Sequence, residues 1–199
     1  MGHAGMAATA VRYLRSAGAP TAGTAPPLLR AVRDDERRSV DPAEFRRVLG
    51  HFASGVTVVA AHDGEGPTGF ACQSFASLSL DPPLVAFMVG RTSSTWPRIA
   101  RAGAFCVNVL GAGQADLCRG FAVSGATGAD KFAGVAYEAA PATGSPRLVG
   151  VPAWVDCAVH AVHTGGDHLI VVGRVRALGA SDEVAPLLFH RGRFGRFTE

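Results

Sequence analysis

The sequence predicts a mostly β fold, an antiparallel barrel carrying a few helices. Three observations predict it. Apolar runs of strand length recur at 56–61, 84–89, 104–110, 153–163 and 168–178. Turn residues punctuate them, as in Asp63-Gly64-Glu65-Gly66 and Thr164-Gly165-Gly166-Asp167. Few helical stretches separate one strand from the next. A doubly wound parallel sheet needs crossover helices, so this spacing favours antiparallel pairing.

The first element of the domain is a helix starting at Asp41. Asp41 can cap it, Pro42 suits its first position, and Glu44 can reach back to the cap. Phe45, Val48, Leu49 and Phe52 follow at i, i+3, i+4 and i+7, one apolar face, and Gly55 is the expected stop. The Val-rich run 56–61 forms a hairpin with the segment from Thr68. The next strand is Leu84–Val89. A short helix covers Trp96–Ala102, with Thr95 as its cap and Pro97 in its first turn. A strand at 104–110, a helix at 114–121 and a loop-rich stretch at 125–146 lead to the two long strands of the C-terminal half.

Between two of these strands lies GFACQSFASLSLDPP, Gly69–Pro83. Core strands are built from Val, Ile and Phe. This segment instead carries Cys72, Gln73, Ser74, Ser77 and Ser79 among small residues, then ends in Asp81-Pro82-Pro83. The prolines restrict themselves and the residue before them, so they set the turn into the next strand. The small polar side chains need a purpose.

Composition narrows the options. The chain has 199 residues, 48% hydrophobic and 18% charged, which suits one folded domain with a real core. The net charge of +3 is too small to argue for nucleic acid. No apolar run is long enough to span a membrane as a helix. The four cysteines, Cys72, Cys106, Cys118 and Cys157, form no CxxC pair, and no His/Cys cluster has metal-ligand spacing, so no metal site is expected. Reduced, buried thiols in a cytoplasmic protein are the expectation. Residues 1–40 are rich in Ala, Gly, Pro and Arg without a sustained period, save a short helical stretch at 11–17. They read as a flexible extension lacking a secretory h-region, and residues 41–199 as the folded domain.

There is no GxGxxG, no Walker loop and no nucleophile elbow in the chain. Serines and histidines are present, but no spacing selects a hydrolytic triad. Arg91-Thr92-Ser93-Ser94-Thr95 precedes a helix start. Taken alone, that stretch reads as a cap with solvated hydroxyls. Taken with 67–74, it offers more. Small side chains and free backbone groups suit a planar heteroaromatic ring, and hydroxyls with Arg91 suit its phosphate. Trp96 and Trp154 read as core, and Cys72 as a packing residue.

The segments GVTVV, PTGFACQSFASLSLDPPLV, FCVNVL, DKFAG, GSP, DCAVHAVHTGGDH and PLLFHRGRF occur in that order. Together they resemble the flavin reductases that serve two-component flavin monooxygenases. The resemblance covers about Asp41 to Phe194. It implies a split β-barrel homodimer of the FMN-binding type. It implies FMN or FAD and NADH or NADPH as cofactors, hydride transfer from nicotinamide to flavin N5, and a separate monooxygenase as recipient of reduced flavin. By motif position, flavin contacts fall on Pro67, Thr68, Gly69, Phe70, Ala71, Gln73, Ser74, Met88, Val89, Gly90, Arg91, Ser94 and Thr95. Nicotinamide contacts fall on His168, taken as the catalytic residue, and on His190, Arg191, Gly192 and Arg193. His190 stands where members of the family often carry Tyr. On this reading the small residues of 69–79 line a flavin without covering it. The alternatives are a non-enzymatic flavin- or haem-binding module of the same barrel, a pyridoxamine-phosphate-type oxidase, and an interaction protein. GGDH and RGRF argue against the first, and the lack of a basic phosphate cluster against the second.

Overall fold

Two strands that are neighbours in sequence lie at opposite edges of one sheet, and this shapes the molecule. The computed structural model describes residues 40–181 and 184–197. The extension expected at 1–39 and the helix expected at 11–17 lie outside the described residues. The main sheet has seven antiparallel strands in the order β3-β2-β6-β9-β10-β5-β4. These are β2 Thr57–His62, β3 Pro67–Cys72, β4 Ala76–Leu80, β5 Pro83–Gly90, β6 Ala104–Val109, β9 Ala153–Gly165 and β10 His168–Ala180. Only Gln73, Ser74 and Phe75 join edge strand β3 to edge strand β4. So short a link forces the sheet to curl until its edges meet. Phe70 on β3 and Phe87 on β5 accordingly stand with ring centroids 6.0 Å apart, although five steps separate their strands in the sheet. The edges share no ladder. This is the split β-barrel, mostly β with a few helices, as the sequence predicts.

A single hydroxyl stitches the seam. Ser74 Oγ accepts from the Met88 N–H at 2.9 Å and donates to the Met88 C=O at 3.0 Å, replacing the missing strand partner. Cys72 Sγ lies 3.3 Å from the same hydroxyl.

Strand β2 explains why 56–61 is apolar without alternation. Val59 and Ala61 enter one core with Phe87, Ile99, Phe105, Val107 and Val171. Val58 and Ala60 face a second, with Leu110, Phe121, Phe132, Leu148 and Leu187. A strand covered on both faces carries apolar residues at every position. Helix α2, Trp96–Ala102, contributes Ile99 to the first core. Helices α3, Ala115–Ala122, and α4, Gly128–Phe132, close the second through Phe121 and Phe132, whose rings meet edge to face at 4.9 Å. Asn108 on β6 is fully buried and satisfied. Its Nδ2 donates to Val58 and Pro146 carbonyls, and its Oδ1 accepts from Leu148 N–H at 2.8 Å. It thereby ties β6 to the small β7–β8 ladder, Tyr137–Ala139 with Pro146–Leu148. The buried Asp156 is met by Ala142 and Thr143 N–H groups at 2.8 and 3.1 Å, which anchors the turn before Ser145.

Several expectations change. Helix α1 spans Pro42–Leu49 and stops at Gly50; Gly55 lies in the short strand β1, Ser54–Gly55. Asp41 caps it, accepting from Ala43 and Glu44 N–H groups at 2.8 and 3.0 Å. Glu44 does not return to the cap but pairs with Arg47, one turn on, where a full guanidinium is the stronger partner. Among the described residues nothing covers the apolar face of α1: Phe45 and Leu49 are each 54% exposed, and Phe52, just past the helix, is 81% exposed. At α2 the cap bond comes from Ser93, whose Oγ accepts from Trp96 N–H at 3.2 Å, and not from the Thr95 side chain. The loop-rich stretch 125–146 holds α4, fixed by a Thr127–Asp130 capping box. Residues 76–80 form strand β4, with Leu78 and Leu80 exposed, and Ser77 and Ser79 are not among the residues lining the seam cleft. Finally, β11, Leu187–His190, and β12, Arg193–Arg196, form a hairpin. Its two turn residues, Arg191 and Gly192, both take positive φ, 50° and 79°, which matches the twist of a tight hairpin.

Candidate active site at the barrel seam

The seam opens into a cleft of about 690 Å³, within the range of small-molecule sites. One wall is the end of β3 and its link: Phe70, Ala71, Cys72, Gln73 and Ser74. As an edge strand, β3 has backbone groups on the side away from β2 that no strand pairs. The facing wall is Met88, Val89 and Gly90 at the end of β5, then Thr92 to Thr95. A Cβ built on Gly90 meets nothing within 4 Å, so the wall there is flat backbone beside open space. Thr95 is buried and makes no cap bond with its side chain, which leaves its hydroxyl for the cleft.

His168 stands at the rim. It begins β10 opposite Gly90 and is half exposed. Its Nδ1 lies 2.8 Å from Asp167 Oδ1, which leaves Nε2 without that tie. The bond to His168 holds the Asp167 carboxyl below its ordinary value. The Asp167 carbonyl accepts from Arg91 N–H at 3.0 Å, so the hairpin tip carrying His168 is tied to the end of β5.

The structure brings Phe70, Ala71, Gln73, Ser74, Met88, Val89, Gly90, Ser94, Thr95 and His168 onto this one cleft. It places the other expected residues elsewhere. Pro67, Thr68 and Gly69 lie deeper along β3; Thr68 is 2% exposed, and a Cβ on Gly69 would meet Val59 O at 3.0 Å and the Phe121 ring at 3.1 Å. Arg91 is exposed and outside the wall, its backbone engaged with Asp167. His190, Arg191, Gly192 and Arg193 form the exposed tip of the β11–β12 hairpin, with His190 edge-on to His51 at 6.3 Å. The strands below that tip do reach the cleft, through Phe189 and Phe194.

Five parts of the wall are missing from the sequence reading: Val56, the Phe189–Phe194 pair, the end of α3 and the residues after it from Phe121 to Gly125, Cys118, and Lys131. Cys72 and Cys118 are thiols pushed up by burial, which makes them packing groups rather than nucleophiles. Among the described residues no cluster of His, Cys, Asp or Glu could hold a metal ion.

The donor set fits a flavin. A flat face of backbone and small side chains, aromatic rings at one side, hydroxyls at one end and a single ammonium suit a planar ring bearing a polar edge and a phosphate.

The fold and this cleft define a reductase-type split barrel, and comparison with known proteins gives the family. Residues 49–198 match the family described as flavin reductase like domain. A flavin reductase of Pseudomonas putida is 48% identical over 163 residues, covering 81% of this chain and 94% of that protein. The reductase subunit HsaB of a flavin-dependent monooxygenase from Rhodococcus jostii is 49% identical over 156 residues, 78% of each chain. The crystal structure of the NADH:FAD oxidoreductase of Streptomyces globisporus in complex with NAD and FAD fragments superposes with a TM-score of 0.74 at 38% identity, covering 81% of this chain and 98% of that one. The chain belongs to the flavin reductase-like family.

Proposed function

We propose that the protein is an NAD(P)H:flavin oxidoreductase that supplies reduced FMN or FAD to a separate flavin-dependent monooxygenase. One observation carries the reading. Three segments far apart in sequence, 70–74, 88–90 with 92–95, and His168, converge on a single cleft, and the Streptomyces globisporus protein named above is an NADH:FAD oxidoreductase. When bound, a flavin would supply a hydride acceptor at N5 and a nicotinamide the hydride at C4. The protein's part is binding and orientation. Ala71 and Gln73 on one wall and Met88 to Gly90 on the other offer the ring backbone groups, while Ser74 ties the two walls together. The Thr95 and Ser94 hydroxyls receive the phosphate. His168 at the rim, steadied through Nδ1 by Asp167, positions the nicotinamide. Phe189 and Phe194 exclude water from one side. The hairpin tip at 190–193, which continues the strands carrying Phe189 and Phe194, is the second nicotinamide contact.

The exposed apolar face of α1, Phe45, Val48 and Leu49, with Phe52 just past the helix, supports a homodimer in which a second copy covers it. Residues 41–199 form the functional domain. Among the described residues no helix is long and apolar enough to cross a membrane, and a cytoplasmic location is consistent with four free, buried cysteines.

The test is oxidation of NADH and of NADPH, followed by nicotinamide absorbance, with FMN, FAD or riboflavin added in turn. Oxidation that depends on added flavin is the expected result and names the preferred pair. Tight flavin binding without oxidation would replace this reading with a non-enzymatic binding module.

A further inference from the structure

Lysine occurs once in this chain. Of its 19 Lys and Arg residues, Lys131 is the one Lys. The two cations differ at close quarters: guanidinium is a broad planar fork, whereas ammonium is a compact point charge with three donors. Its one compact cation stands in the wall of the cleft, where Lys131 is the only Lys or Arg among the described residues.

Its position is held from both sides. On α4, Gly128 packs so close to β3 that a Cβ there would stand 2.2 Å from the Pro67 carbonyl, and Phe132 is locked against Phe121. The ammonium donates to Phe121 C=O at 3.1 Å and to Gly69 C=O at 3.5 Å. Two carbonyls take two of its three N–H groups; among the described residues none takes the third, and the side chain lines the cleft. Among the described residues no carboxylate lies within ion-pair distance of it. Burial pulls its pKa down. A partly desolvated cation without a protein counter-ion is completed by an anion from outside.

We propose that Lys131 recognises the reduced flavin: its remaining N–H binds the pyrimidine edge of the ring, N1 and C2=O, which becomes anionic on reduction, so the cleft favours the reduced over the oxidised form. This rests on the flavin reductase reading above. Position favours the ring over the phosphate. Lys131 is bonded to Gly69 in β3, the strand whose end forms the ring wall. The hydroxyls suited to a phosphate, Thr92 to Thr95, follow β5 on the other side of the seam.

The test is equilibrium binding of oxidised and anaerobically reduced riboflavin and FMN to wild type, Lys131→Met and Lys131→Arg, with thermal melts of each. Lys131→Met is expected to weaken reduced riboflavin and reduced FMN alike by about 10- to 100-fold, the worth of one charge-assisted hydrogen bond, and the oxidised forms far less. Lys131→Arg, which keeps the charge, is expected to retain part of the preference. Equal losses in both redox states, a loss confined to FMN, or a lower Tm with binding intact would each overturn the proposal. A wild type that binds no flavin would instead overturn the reductase reading. Should Lys131→Met fail to fold, acylation of the native protein decides. The single lysine makes its peptide an unambiguous mass readout, and reduced flavin is expected to protect it more than oxidised flavin. Equal acylation rates would again overturn the proposal.

Discussion

Replacing Ser74 with Ala removes the stitch at the barrel seam. The hydroxyl makes two hydrogen bonds to one residue, accepting at 2.9 Å and donating at 3.0 Å. Each neutral bond contributes about 0.5–1.5 kcal/mol net, so full loss costs about 1–3 kcal/mol. Solvent reaches this position and can satisfy part of what is lost. The lower half, about 1–2 kcal/mol, is therefore expected, which corresponds to a Tm drop of about 2–8 °C for a chain of this size. The seam is also the cleft wall, and loosening it lets the β3 and β5 walls drift apart. Flavin affinity should then fall by about tenfold, beyond what unfolding explains, because orientation is lost in the folded state. Thermal melts and fluorescence titration with FMN, both below the new Tm, measure the two effects. Ser74→Ala with wild-type Tm and wild-type affinity would refute the seam argument. A lower Tm with intact affinity would refute the coupling of seam to site.

Three further perturbations test other parts of the structure. His168→Ala should raise the NADH KM by about tenfold, the loss of one oriented contact, while flavin affinity changes little; equal effects on both would remove its nicotinamide role. Gly173→Ala places a Cβ 2.4 Å from Phe105 Cζ in a fully buried core, and overpacking of that kind costs about 1–3 kcal/mol, read by urea denaturation. Asp63 accepts two bonds from Arg98, at 2.7 and 2.8 Å, which tie α2 to the β2–β3 turn and hold its carboxyl far below the ordinary range. The depressed folded-state value means that its contribution is fully present above about pH 4 and is lost as pH falls through that value. Asp63→Asn should therefore melt below wild type at pH 7, with the gap closing under progressively more acid conditions. A gap independent of pH would show that the pair does not act through ionisation.

The legible parts of this protein were local. Asp41-Pro42 announces a helix because a cap acts within one turn, and the hairpin turns at 63–66 and 164–167 announce themselves because their residues satisfy local backbone demands. The Val-rich run at 56–61 announced a strand, but that both of its faces are buried is seen only in the tertiary structure. Short elements escaped notice. Strand β4 and the β11–β12 hairpin are short local pairings, and α4 is a five-residue helix fixed by its own capping box, so each carries too few residues for a periodic signal.

Sequence order alone determined which residue types were available for a flavin site and that an antiparallel barrel would carry them. Only tertiary structure decided which of them meet. Curling of the sheet, forced by the three-residue link between its two edges, sets β3 against β5 and opens the cleft there. The same curl carries Arg91 and the 190–193 tip outside that wall and brings in Phe189, Phe194 and Lys131, whose side chains act at distances of tens of residues. Side-chain chemistry is written residue by residue, but convergence depends on where strand edges close. That closure is a property of the whole sheet.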